Sequence, residues 1–422
     1  MRLDQNWVQQ QGADCALLQA VDAAFQNDLP GRIGIAVSGG GDSMALLHLF
    51  ARWSVQTGHP IAAVTVDHGL RPESRAEADG VAQMCRSLAV PHDILTWEKP
   101  KGAGNLAAAA RDGRYTLMAH WASQRGIGGI SLGHTLDDSA ENFIMRLGRA
   151  AGVDGLSEME RCFQRESVLF ARPLGQHRRE DLRKYLVRHE IHWVEDPSND
   201  DPRYTRTKAR RVLPALAEIG VTPGSIQHTA TALRQAQSAL AHYTRVEAER
   251  HVTQQAGDLL FPLSMLQTVP EDIRRRLWGA ALQWVGSRAY PPRKFSVRDL
   301  ECELHRKQRV TLSGCVIMKR QHHLRITREY NAVKNTCTPT GALWDSRWAL
   351  NGPHAHDLSI RALGGAVNDI PDWRETGVPR RSLMASPAVW RGETPVAVPL
   401  AGYNRDWTAQ IVADFASFLL SH

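Results

Sequence analysis

Ser38-Gly39-Gly40-Gly41-Asp42-Ser43 joins three glycines to two hydroxyls and a carboxylate. Glycines let a backbone bend sharply and bring N–H groups close to an anion, and the serines add donors suited to phosphate oxygens. The loop lacks the Gly-Lys-Ser/Thr of lysine-bearing NTPase loops, and the third glycine of the dinucleotide fingerprint would fall on Met44. A second group is acidic: Asp137 and Asp138 stand four and three residues before Glu141, so on a helix all three crowd together. Two readings of it stand. Thr135 with Asp138 fits a capping box under a favourable helix dipole, and the same carboxylates could hold Mg²⁺ or an ammonium group. Arg111 and Arg114, three apart, suit a phosphate or a carbonyl gaining charge, unless they are spent on ion pairs. Asp67, His68 and Arg71 either touch ligand or shape a turn through Gly69. Arg203, Arg206, Lys208, Arg210 and Arg211 place five cations in nine residues beside Tyr204, a pattern for RNA backbone and base, or for a solvated helix start paired with the acids of 195–201.

Elements must bring these groups together. Ile33–Val37 and Ile61–Val66 are continuous apolar runs, as buried parallel strands are. The glycine loop follows the first and opens a helix from Met44; Asp67 and His68 close the second. A helix over 74–88, a strand over 92–97, a helix over 105–123, a strand over 129–132 and a helix over 135–149 continue the alternation. Another strand over 168–174 and a charged helix over 178–189 complete it. Strand and helix alternating at this spacing imply a doubly wound parallel sheet, with ligands outside the carboxyl ends of its strands. The proline-bounded run Glu195–Pro202 reads as the exit of a first domain, 1–202. Residues 203–287 have helical periodicity and 310–328 alternates as a hairpin does, giving a second domain, 203–330. Residues 331–422, rich in Pro, Gly and Trp, read as a small mixed α/β C-terminal domain.

The 422 residues carry a net charge of +7, and its distribution is the informative part. Residues 1–202 hold 21 basic and 26 acidic side chains, 203–330 hold 22 and 10, and 331–422 hold 8 and 8. A segment-wide basic excess points to a polyanion, here nucleic acid. No apolar run approaches the roughly 20 residues of a membrane span. Six cysteines without a Cys-x-x-Cys pair fit a reducing, cytoplasmic setting.

The loop resembles the Ser-Gly-Gly-x-Asp-Ser signature of the ATP pyrophosphatase (PP-loop) superfamily, which implies a sheet of the adenine nucleotide alpha hydrolase type. Further motifs narrow the resemblance: Val66-Asp67-His68-Gly69-Leu70-Arg71, Ala110-Arg111-x-x-Arg114-Tyr115, Gly133-His134-Thr135-x-Asp137-Asp138-x-Ala140-Glu141-Asn142, Arg172-Pro173-Leu174 and Glu195-Asp196-x-Ser198-Asn199. In this order they look like the tRNA(Ile)-lysidine synthetase family, with the likeness concentrated in residues 30–212. The resemblance implies a ligase that spends ATP, with Mg²⁺, to adenylate C2 of the wobble cytidine of CAU-anticodon tRNA(Ile). L-lysine then displaces AMP, and decoding changes from AUG to AUA. It implies ATP binding by Ser38, Gly39, Gly40, Gly41, Asp42, Ser43, Asp67, His68 and His134. Catalytic work falls to Asp42, Arg111, Arg114, Asp137, Asp138 and Glu141, with Asp137 and Glu141 the expected Mg²⁺ ligands. tRNA binding falls to Arg203, Arg206, Lys208, Arg210 and Arg211. A homodimer stays open. The rivals are a tRNA thiolase, a small-molecule amide ligase of the same superfamily and a non-catalytic RNA-binding relic. Thiolation would need paired cysteines, and the amide ligase leaves the basic middle segment without a purpose.

Overall fold

The computed structural model describes residues 11–25, 29–69, 74–98, 106–195, 201, 203–292 and 294–421. Leu70, Arg71, Asn105, and Asp196 to Asp200 with Pro202 lie outside them, so the expectations placed there are not addressed by the structure. The chain divides into two compact units, Met1–Gln237 and Ser238–His422.

The first unit is built on a six-stranded sheet of order β3-β2-β1-β4-β6-β5. Its strands are β1 Ile33–Ala36, β2 Ile61–Asp67, β3 His92–Thr96, β4 Gly129–Leu132, β5 Cys162–Arg165 and β6 Val168–Ala171. All pairings are parallel except β5 with β6, an antiparallel edge that the sequence reading lacked. Alternate residues of the strands face two cores, which is what doubly wound means in side-chain terms. Ile33, Ile35, Ile61 and Ala63 pack with helices α1 (Cys15–Asp22), α2 (Gly41–Thr57) and α3 (Ser74–Ser87). Ala62, Val64, Ile130 and Leu132 face the other way, onto Tyr115, Met118 and Trp121 of α4 (Leu106–Gln124). Helix α2 is buried on nearly every side, from Met44 through Trp53. Each fully buried Leu or Phe there stabilises the fold by about 1.5–3 kcal/mol.

Three helices complete the parts that matter for the site. Helix α5 (Leu136–Leu147) follows β4, α6 (Arg179–Arg188) follows the short turn Pro173–Gln176, and α7 (Thr205–Ala217) follows the proline-bounded exit. The expected strand over 168–174 therefore ends at Ala171, because Pro173 and Gly175 turn the chain into 3-10 geometry.

The second unit is mixed. A five-stranded antiparallel sheet, Thr253–Gln255, Asp258–Pro262, His323–Arg328, Cys315–Lys319 and Arg309–Leu312 in spatial order, is covered by Glu271–Val285 and Lys294–Arg306. The hairpin expected over 310–328 is three strands of it. Residues 253–262, expected to be helical, supply the other two. Two smaller antiparallel sheets follow, of four and two strands, around Trp344, Trp348 and Trp407.

Candidate active site

Order in the sheet decides where a ligand can go. β1 lies between β2 and β4, so chain connections leave it in opposite directions and a crevice opens at its carboxyl end. The loop after β1 and the acidic helix after β4 are thereby set side by side. A cavity of about 760 Å³ sits there. Its apolar lining is Ala36, Val37, Val64, Val66, Met118 and Leu132, and its polar lining includes Ser38, Gly40 to Ser43, His68, His134, Arg114, Arg183 and Trp193.

The loop is held from within. Gly39 has φ +87°, a backbone state that a side chain would strain. Ser43 Oγ donates to Gly40 O (2.8 Å) and accepts the Ser38 N–H (3.1 Å), and Val194 N–H donates to Gly39 O (3.1 Å). Gly40 caps α2 in extended geometry, so the first N–H groups of that helix and its positive end face the cavity. Across the crevice, a Cβ on Gly133 would lie 3.1 Å from both Cα and N of Ser43. Only glycine lets β4 run this close to the loop.

The acidic helix satisfies both readings of its sequence at once. Thr135 and Asp138 form the capping box, with Thr135 N–H donating to Asp138 Oδ2 (2.7 Å). Asp138 Oδ1 accepts from Arg179 (2.9 Å) and Arg206 (2.8 Å). Glu141, with 1% of its side chain exposed, accepts from Arg179 (3.0 Å), Arg206 (2.6 Å) and Arg210 (2.9 Å). Burial by itself would raise the Glu141 carboxyl. The bonds from Arg210 and Arg206, with the charges of Arg206 and Arg179, more than offset it and hold the group at about 2. Asp137 turns aside to the Arg178 guanidinium and the Arg179 backbone N–H (2.7 Å).

Arg179, which the sequence reading did not single out, is the hub. Its Nε donates to Asp42 Oδ2 (3.0 Å), while its two terminal nitrogens reach Glu141 and Asp138. One guanidinium thus ties the glycine loop to the acidic helix. A signal for it existed: Arg178 and Arg179 open a helix, where the dipole disfavours cations unless acids stand opposite. Burial raises the Asp42 carboxyl, and Arg179 offsets only part of that.

The remaining expected residues divide. Arg114 lines the cavity, and burial lowers its pKa; its Nε has no partner among the described residues. His134 is half-buried and held well below its usual range, first by burial and then by Arg172 and Arg114. It is neutral, and since Arg172 Nε donates to its Nδ1 (3.2 Å), its proton sits on Nε2. His68 lines the cavity with a buried, unpartnered Nδ1 and rests edge-on against Trp97. Asp67 instead shapes the turn, accepting from Gly69 N–H (2.9 Å) and Ser74 Oγ (2.7 Å). Arg111 lies over the Tyr115 ring, away from the cavity lining. The five cations expected to bind tRNA do not share one environment. Arg203 precedes α7 and pairs with Asp201 (2.6 Å), Arg206 and Arg210 turn inward to Glu141, and Lys208 and Arg211 are exposed.

These partners bear on Mg²⁺. Every carboxylate of α5 is already engaged by guanidinium groups, and no cluster of three or more His, Cys, Asp or Glu with metal-binding geometry occurs among the described residues. Asp137 and Glu141 do not fit the ion in this arrangement. Asp42 does: it stands at the phosphate loop and spends one oxygen on Arg179.

Comparison with known proteins agrees with this geometry. Residues 15–216 match the model of the PP-loop domain. A tRNA(Ile)-lysidine synthase of Ruegeria pomeroyi is 42% identical over 410 residues, which is 96% of this chain and 98% of that one. The enzyme of the same name from Wolbachia pipientis wMel is 36% identical over 396 residues, covering 90% and 91% of the two chains. Among solved structures, the U34-tRNA thiolase NcsA of Methanococcus maripaludis aligns over 52% of this chain and 80% of its own, with a TM-score of 0.45 and 16% identity. Sheet, loop and cavity define an ATP-using α/β enzyme of the PP-loop class. Within that class the chain belongs to the tRNA(Ile)-lysidine synthase family.

Proposed function

We propose that the chain adenylates C2 of the wobble cytidine in CAU-anticodon tRNA(Ile) and then replaces the activated oxygen with the ε-amine of L-lysine, giving lysidine. The observation that carries this reading is the extent of the match, 42% identity along 96% of the chain. Pyrophosphate leaves in the first step and AMP in the second, so a C–O bond at C2 is exchanged for a C–N bond. The work divides as 1–202 for the ATP chemistry, 203–330 for gripping tRNA and 331–422 as a small C-terminal domain. Its tRNA substrate places the protein in the cytoplasm.

Each physical requirement of the reaction has a group in the cavity to meet it. The triphosphate lies on the N–H groups of Gly40 to Asp42 at the start of α2 and the hydroxyls of Ser38 and Ser43, with the adenine against Val64, Val66, Met118 and Leu132. Mg²⁺ brought in with ATP would be held by Asp42 and would neutralise phosphate charge. Arg114, a cavity-lining guanidinium, and the Nε2–H of His134 stabilise negative charge on the base oxygen and its phosphate. Lysine's amine has a pKa near 10.4, so freeing its lone pair at pH 7 costs roughly 4–5 kcal/mol. Holding the ammonium and taking its proton fall to the group Asp137, Asp138 and Glu141, each paired with arginine in the free protein, so one of them must exchange a guanidinium for lysine. Thiolation is disfavoured because no cysteine lines the cavity among the described residues, and Cys85, pushed by burial to about 12, is a poor nucleophile.

The test is mass spectrometry of unmodified tRNA(Ile) incubated with the protein, ATP and L-lysine. The expected product carries one lysine residue on the wobble cytidine and forms with stoichiometric pyrophosphate. Pyrophosphate release without tRNA would point to a small-molecule ligase instead, and no release at all to a non-catalytic RNA binder.

A further inference from the structure

The cavity's charge poses a problem for its second substrate. Lysine brings an ammonium group, yet Asp42, Asp137, Asp138 and Glu141 are matched by Arg178, Arg179, Arg206 and Arg210. The free protein offers a cation no unpaired carboxylate here. The four arginines are not equally placed. Arg179 comes from inside, with 19% of its side chain exposed, whereas Arg206 and Arg210 reach Glu141 from α7 with 39% and 35% exposed. These outer two belong to the basic run that begins the segment of 22 basic and 10 acidic residues.

We propose that Arg206 and Arg210 set the order of substrate binding by exchanging partners: in the free protein they cover Glu141, and when tRNA binds they pass to its phosphates and leave Glu141 to lysine's ammonium. The inference rests on the lysidine-forming reading above. Arginine pairs with phosphate through the same two-pronged geometry as with carboxylate, so the exchange loses little bonding. With Arg206 and Arg210 gone, Glu141 would keep only Arg179, and a buried carboxylate short of partners is unfavourable, so the two arginines leave only if another cation replaces them. tRNA and lysine therefore favour each other's binding, and lysine is kept from the site until a base is present to receive it. Glu141, relieved of two guanidinium groups, also becomes a better proton acceptor for the attacking amine.

The experiment is equilibrium dialysis of radiolabelled L-lysine against the full chain, without ATP, in the presence and absence of unmodified tRNA(Ile) transcript. The wild type is expected to bind lysine about tenfold or more tightly with tRNA, within the usual range of coupling between sites. Saturating lysine must tighten tRNA binding by the same factor, a check that needs no variant. In the R206Q/R210Q double variant, lysine binds without tRNA, and tRNA changes its affinity less than about threefold. Should that variant not fold, E141Q decides: it takes Arg210's carboxylate away and one of the two held by Arg206, which keeps Asp138, and is expected to tighten tRNA binding several-fold, more than E195Q, which removes one charge from the cavity wall and touches neither arginine. Equal lysine affinity with and without tRNA in the wild type, or E141Q tightening tRNA no more than E195Q, overturns the exchange. If lysine is still added to tRNA when ATP is supplied, only the exchange has failed; if it is not, the proposed function has failed too.

Discussion

Glu141 and His48 mark the two ways a buried titratable group is held in one charge state, and they fail at different pH. Glu141 sits at about 2, against 4.5 for a free glutamate, so its contribution to stability is present above pH 4.5 and is lost as pH falls from there toward 2. His48 is lowered to about 4 from 6.5, by burial first and then by His189 and Arg52. Its Nδ1 shares a hydrogen bond with Tyr185 Oη (2.6 Å), and Arg52 donates to that same oxygen. The unfolded chain therefore takes up a proton before the folded one, and stability begins to fall at pH 6.5, by up to about 1.4 kcal/mol per pH unit. Acid sensitivity is expected to start in the histidine window and to steepen in the carboxylate window. The His48 ring resonances followed by NMR should titrate near pH 4; a midpoint near 6.5 would refute the assignment. At this scale the sequence showed which residues carry charge but not which charges meet. Asp138 and Glu141 were legible as neighbours because helix spacing makes them so. Their partners lie 38 to 69 positions away, and no local pattern encodes such a pairing. Hence Arg179 went unnoticed, and Arg206 and Arg210 were expected to face outward.

Among the elements, strands buried on both faces were the easiest to read. Ile33–Ala36, Ile61–Asp67 and Gly129–Leu132 are continuous apolar runs followed by the motifs they present. The capping box was equally plain, being a matter of four consecutive residues. The short antiparallel pieces were not. Cys162–Arg165 is four residues long and half exposed, as an edge strand is. Thr253–Gln255 and Asp258–Pro262 meet at Ala256-Gly257, both with positive φ. That turn usually advertises itself as Asn-Gly or Asp-Gly, and here alanine hides it. Where two elements nearly touch, a single carbon should matter. Gly133→Ala puts a methyl 3.1 Å from the backbone of Ser43, which can yield only by shifting the first turn of α2. Overpacking of this kind costs about 1–3 kcal/mol, and the displaced loop should lose ATP-dependent pyrophosphate release. Gly41→Ala is the control, since its methyl would lie 3.3 Å from the side chain of Trp193, which can move aside. If the two variants keep equal activity, the close approach of β4 to the loop is not what shapes the phosphate site.

For the molecule as a whole, charge separates the tasks that the fold leaves distributed along the chain. The acidic N-terminal part, 21 basic against 26 acidic residues, supplies most of the cavity lining, and 203–330 holds the basic excess. Some of that excess is consumed internally: Arg206 and Arg210 by Glu141, Arg274 by Glu301, and Arg325 by Asp258. Open to a polyanion from the outset, before any exchange of partners, are the cations without carboxylate partners. Lys319 and Arg320 are such a pair, at the turn between Cys315–Lys319 and His323–Arg328, where neither makes an ion pair among the described residues. Nearby, burial and then Arg325, Arg320 and His322 lower His323, as a crowd of like charges would. If 203–330 grips the tRNA backbone, K319Q/R320Q should raise KM for tRNA several-fold and leave kcat at saturating tRNA unchanged, because neither residue belongs to the cavity. The dependence of tRNA affinity on salt should also flatten, by roughly 0.7–0.9 in log–log slope for each phosphate no longer neutralised. A fall in kcat with the slope intact would mean that the turn acts on the chemistry and not on backbone binding. Neither quantity moving would remove this surface from the tRNA path and leave the grip to the exposed cations of α7, Lys208 first among them.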